Sequence, residues 1–213
     1  MGFPPGYFVP FSMAFPRAGP VVSSTYAVPT GAVLRKCARA RAVQSALDRG
    51  PPAMLMAFPM SRIEDHLAAQ GIALPVAAAP VAAYVPTVLA GGLLHISGQL
   101  PFTAEGTLMT GKLGGARDLD WGAQAAERCA LMLVAQMKAA LGDLDRVERI
   151  VKLGAFIASA PDFTDQPKVA NGASEMMARI FGEAGKHARS AVGVPVLPLD
   201  ASVEIDAVVA VRA

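Results

Sequence analysis

The sequence predicts an α+β domain over residues 61–213: a mixed β-sheet with two helices on one face. Hydrophobic residues make up 53% and charged residues 17% of the 213-residue chain, a balance that favours a buried core over disorder. Two segments carry apolar residues at helical spacing, and the short apolar segments around them read as strands. Their order, β-β-(β)-α-β-α-β-β, is that of a sheet layered against helices.

Residues 1–60 stand apart. They hold 9 of the 17 prolines and show no sustained period. Their charge balance is +5, against −3 for the rest of a chain whose net charge is +2. The segment superficially matches an organelle transit peptide, but it reads better as a disordered or mis-assigned upstream extension, with the true start at Met60. "MSRIEDHLAAQG" then opens as a helix, with Ser61 as its cap and Glu64 three residues on, the spacing of a capping box.

From His66 to Ala104 there is no Asp, Glu, Lys or Arg. Pro75, Pro80, Pro86 and the Gly91-Gly92 pair interrupt the stretch too often for a membrane-spanning helix. It reads as an extended lead-in, "PVAAYVPTVLA", a glycine turn and a buried strand, "LLHISGQL". Next comes an amphipathic helix carrying Ala126, Cys129, Ala130, Leu133, Val134, Met137 and Leu141 on one stripe. Asp120 is placed to cap it and Gly142 to end it. "RIVKLGAFIAS" follows as a strand. A second helix runs roughly from Lys168 to Gly182, with Met176, Met177, Ile180 and Phe181 inward. The closing stretch, "HARSAVGVPVLPLDASVEIDAV", reads as a hairpin in which Arg189 faces Ala210.

Strands that are apolar at nearly every position need cover on both faces. Two helices cover one, so a closed homo-oligomer is expected to cover the other. Two cysteines without a pairing framework point to a reducing compartment. Three histidines without ligand spacing offer no metal site.

Arg189 and Glu204 are the charged residues that most need explaining, since a guanidinium is costly to bury without an acid. Arg189 either grips a ligand carboxylate or pairs structurally with Glu204 or another acid. In the hairpin register Glu204 lies six residues along the strand, roughly 20 Å away, so an ion pair needs a bulge or a second subunit. Glu204 either activates water or sits on a solvated face. Gly98 allows close approach of a ligand to the main chain, or marks a bulge. Ser97 lacks the context of a hydrolase nucleophile. Tyr84 lines a pocket or plugs the core, Asn171 reads as a helix cap, and Cys129 reads as core. "TGKLGG" lacks phosphate-loop spacing.

On these residues, the chain from about Ser61 to Val211 resembles the RidA family, also called YjgF or L-PSP proteins. It is most similar to a longer branch carrying "DFTDQPKVANGAS" and "HARSAVGV". The resemblance implies a chorismate-mutase-like fold assembled as a homotrimer with clefts between subunits. It implies that Arg189, in "HARSAV", binds the carboxylate of an amino-acid-derived enamine or imine. Glu204, fifteen residues later, would orient the hydrolytic water. Tyr84, thirteen residues before Ser97 of "SGQ", together with Gly98 and Asn171, would complete the substrate site. One departure is Ala191, where active relatives often carry cysteine. The implied function is a cytoplasmic enamine/imine deaminase needing no cofactor or metal. The alternative is a trimeric module that binds a small carboxylate without transforming it. Endoribonuclease activity, also attached to the family by name, is disfavoured by the acidic body.

Overall fold

A computed structural model describes residues 62–79 and 83–212. The reading of residues 1–60 as an extension and of Ser61 as a cap lies outside them.

Helix α1 (Arg62–Ala69) is short and buries Leu67. Its first turn is satisfied from far along the chain. Asp145 accepts hydrogen bonds from the backbone N–H of Arg62 (3.0 Å) and of Ile63 (3.1 Å), supplying acceptors that the helix cannot provide for itself. Glu64 pairs with Lys138.

Strands β1 (Thr87–Ala90) and β2 (Leu93–Gln99) form an antiparallel pair across the Gly91-Gly92 turn, where both glycines have positive φ. Helix α2 (Leu119–Leu141) carries the expected apolar stripe, fully buried. Its cap is Asp118, whose carboxylate accepts from Trp121 N–H at 2.9 Å; Asp120 lies inside the first turn. Gly142 ends the helix in the left-handed region, φ 75°. Strand β3 (Val147–Ala158) and helix α3 (Gln166–Phe181) follow, and Met176, Met177, Ile180 and Phe181 are buried as expected. Strands β4 (Ala188–Val194) and β5 (Val203–Val211) close the chain.

The sheet order is β1-β2-β5-β3-β4. The closing hairpin therefore does not form. β4 runs parallel to β3 with Arg189 opposite Leu153, whereas β5 inserts antiparallel between β2 and β3. The cause is α3, which acts as the crossover between two parallel strands and delivers β4 to the outer edge of β3. The inner edge is left for β5, whose Val203, Ile205, Ala207 and Val209 are all buried against the helices.

Both long helices lie on one sheet face and form the main core with α1. The opposite face carries Glu204, Asp206 and Val208 of β5. It also exposes Val88 of β1 (50%) and Val192 of β4 (45%). One end of that face is covered by a smaller cluster of Ala158, Leu197 and Ala201.

Candidate functional site

Arg189 sits on the helix-facing side of the edge strand, in register with Leu153 and, beyond it, Ala207. Its guanidinium reaches α3 and is held by neutral acceptors. Nη1 donates to Asn171 Oδ1 (3.1 Å) and Ser174 Oγ (2.8 Å), and Nη2 donates to the carbonyl of Pro167 (3.0 Å). Among the described residues it makes no ion pair. A guanidinium has five N–H donors, so Nε–H and one Nη2–H remain for a ligand. Both are charged donors of the kind that hold a carboxylate.

Asn171 was expected to cap α3. The helix begins earlier, at Gln166, so the side chain lies within it and orients Arg189 instead. Ser174 and His187 belong to the same network and escaped the sequence reading. His187 Nδ1 is 2.6 Å from the carbonyl of Gly185, which can only accept, so Nδ1 carries the proton. Nε2 then accepts from the Ser174 hydroxyl at 3.0 Å, leaving the serine oxygen to accept from Arg189. The histidine of "HARS", two residues before the arginine, was the one sequence signal for this relay.

Glu204 lies on the other face of the sheet, in register with Phe156 and beyond it Val192. The pleat therefore separates Arg189 from Glu204, and the structural ion pair considered from sequence does not form. Burial, and then the neighbouring Asp206 carboxylate, raise the Glu204 pKa above the ordinary carboxyl value. It accepts no hydrogen bond from a described residue.

Gly98 occupies the irregularity between Ile96 and Gln99 where β2 shifts register against β5. The bulge reading of it holds. It is at a bulge, and a Cβ there would overlap the Glu204 carboxyl group. Ser97 is held at both its donors: its hydroxyl donates to the Val85 carbonyl (3.0 Å) and its N–H to the Pro86 carbonyl (3.0 Å). These bonds tie the lead-in to β2 and bring Tyr84 beside Gly98, where both line a cavity of about 140 Å³. The predicted residues thus fall into two groups. Tyr84, Gly98 and Glu204 gather around β2 and β5, and Arg189 and Asn171 gather around β4 and α3.

A family model described as "YjgF/chorismate mutase-like, putative endoribonuclease" matches residues 64–209. The chain belongs to this family. Among YjgF-family relatives, Protein TCP17 of Trypanosoma cruzi is 54% identical over 149 residues, which cover 70% of this chain and 93% of TCP17. Protein HMF1 of Saccharomyces cerevisiae is 30% identical over 136 residues, 64% of this chain and 90% of HMF1. The crystal structure of Atu1372 from Agrobacterium tumefaciens, a protein of unknown function, superposes with a TM-score of 0.65. It is 48% identical and covers 70% of this chain and 92% of its own. A "putative endoribonuclease" from Shewanella oneidensis MR-1 gives a TM-score of 0.67 at 33% identity, covering 70% and 99%.

The five-stranded mixed sheet with its helices on one face is the chorismate-mutase-like fold of the YjgF family. No helix among the described residues is long and apolar enough to cross a membrane. Nor do three His, Cys, Asp or Glu side chains converge among those residues in a way that would hold a metal ion.

Proposed function

We propose that this chain hydrolyses amino-acid-derived 2-imino and 2-enamino acids to 2-keto acids and ammonia. The observation that carries the reading is Arg189. A cation fixed by three neutral acceptors, with two N–H donors remaining and no acid beside it among the described residues, is organised for a carboxylate supplied from outside.

In the proposed reaction the substrate carboxylate docks on the remaining donors of Arg189, turning a bimolecular encounter into an oriented one. Glu204 takes a proton from water as the oxygen bonds to the imine carbon. It returns that proton to the nitrogen, giving the carbinolamine, and then carries the hydroxyl proton to the same nitrogen as the carbon–nitrogen bond breaks, leaving the keto acid and ammonia. A carboxyl group with a raised pKa suits these transfers. Because Arg189 and Glu204 lie on opposite sheet faces, the complete cleft needs Arg189 of one copy beside Tyr84, Gly98 and Glu204 of another. A homotrimer closed through the open sheet face supplies that arrangement.

The test is release of keto acid from imines generated in place by an amino-acid oxidase. Acceleration that disappears with Arg189→Ala supports the reading; no acceleration by the wild-type chain ends it.

Ala191 favours a second reading. It follows Arg189 on the same side of β4 and packs against the core, where active relatives often carry a thiol. A module that binds a small carboxylate without turning it over would show saturable, Arg189-dependent binding of 2-ketobutyrate and no rate enhancement. Endoribonuclease activity, suggested by the names of relatives, would show as RNA degradation by the purified chain.

A further inference from the structure

The connection between β4 and β5 holds two consecutive residues in the left-handed region without using glycine: Leu199 (φ 57°) and Asp200 (φ 59°). A γ-branched side chain is unfavourable there, and such conformations persist where the surroundings over-determine them. Three backbone hydrogen bonds do so. Asp200 N–H donates to the Leu197 carbonyl (3.2 Å), Ala201 N–H to the Pro198 carbonyl (3.1 Å), and Gly111 N–H to the Asp200 carbonyl (3.0 Å).

The result is a leucine that stays 71% exposed, outside both core clusters, at the wall of the cavity shared by Tyr84 and Gly98. Leu100, Phe102 and Met132 line the same space. Its one buried polar side chain, Gln99, is already spent. The amide nitrogen of Gln99 donates to the Ser97 and Gly98 carbonyls, and its oxygen accepts from Gln136. The cavity measures about 140 Å³, and an apolar cavity of about 150 Å³ admits benzene.

Resting on the proposed imine reading, we infer that Leu199 and this cavity select substrates with bulky apolar side chains, branched aliphatic or phenyl, over small or charged ones. Gly98 places the reacting end beside Glu204. The side chain of the substrate then points into the cavity, and Leu199 closes over it.

The experiment compares the full wild-type chain with Leu199→Gly and Leu199→Asp. Turnover is measured on imines made from alanine, leucine and phenylalanine. Binding of pyruvate, 4-methyl-2-oxopentanoate and phenylpyruvate is measured by calorimetry. The wild type is expected to favour the two bulky members over the small one by roughly ten- to a hundredfold. Leu199→Gly relaxes the backbone, so it is expected to melt no lower than wild type while the preference collapses to within a few-fold. Leu199→Asp is expected to penalise the bulky ligands further. Equal treatment of all three sizes by the wild type overturns the inference. So does a Leu199→Gly variant that weakens every ligand by one factor, or a failure of all three keto acids to bind. A size preference in binding without turnover of any imine leaves the inference standing and ends the deaminase reading alone.

Discussion

Gly98 leaves room for the Glu204 carboxyl group: a Cβ on residue 98 would overlap the glutamate's Oε1 and come within 2.8 Å of its Cδ. The obstructing atoms belong to the end of a side chain, so Gly98→Ala is expected to displace the carboxylate rather than break the sheet. Steady-state kinetics should show kcat down by roughly a hundredfold, the usual cost of a misplaced catalytic group, with KM changed far less. A melting temperature close to wild type would show that the fold survives.

The same carboxylate gives a stability prediction. Its folded-state pKa lies above the ordinary 4.5 because of burial and then Asp206. A group of this kind binds more protons in the folded chain than in the unfolded one. Its burden is therefore absent below the ordinary value and grows as pH rises through the folded one. Glu204→Gln should then melt higher than wild type near neutral pH, with the gap closing as the pH falls below about 4. Thermal melts across that range would show it.

The helices and their buried faces were legible from sequence because local periodicity determines them. Met176, Met177, Ile180 and Phe181 repeat at helical spacing and are buried for that reason. The strand order was not legible. "ARSAVGV" and "VEIDAVVAV" are both extended, and nothing local shows that α3 carries β4 to the far side of β3. That misplacement also misplaced the site, since a hairpin would have set Arg189 opposite Ala210. Ser174 and His187 escaped, and Asn171 read from its position as a cap, because their relation to Arg189 is made by packing α3 against the edge strand.

Arg189 depends on that packing. Lysine carries the charge but has no planar fork, so Arg189→Lys should lose 2-keto-acid binding nearly as far as Arg189→Ala, by roughly ten- to a hundredfold for a charge-assisted pair. Ser174→Ala removes one acceptor and uncouples His187, so a loss of a few-fold is expected, carried by KM. Calorimetry with 2-ketobutyrate measures all three. A Ser174→Ala variant with wild-type affinity would show that the relay does not orient the guanidinium.

The pleat sets Arg189 and Glu204 on opposite faces of one sheet, so the proposed reaction becomes a question of assembly. Glu204 shares its sheet face with Phe156 and Val192, and Val88 is exposed on the same face at the opposite edge. Partly exposed valines beside a half-buried carboxylate suit a face that meets another copy. Light scattering is expected to give the mass of three chains. Val192→Asp sets a charge on that face at the edge strand β4, where burial against another copy would cost several kcal/mol, so the trimer should dissociate. The substitution leaves Arg189 and Glu204 chemically intact. Loss of turnover in proportion to the loss of trimer would therefore trace the activity to the cleft between subunits. A fully active monomer would place both groups in one chain's site, against the register of the sheet.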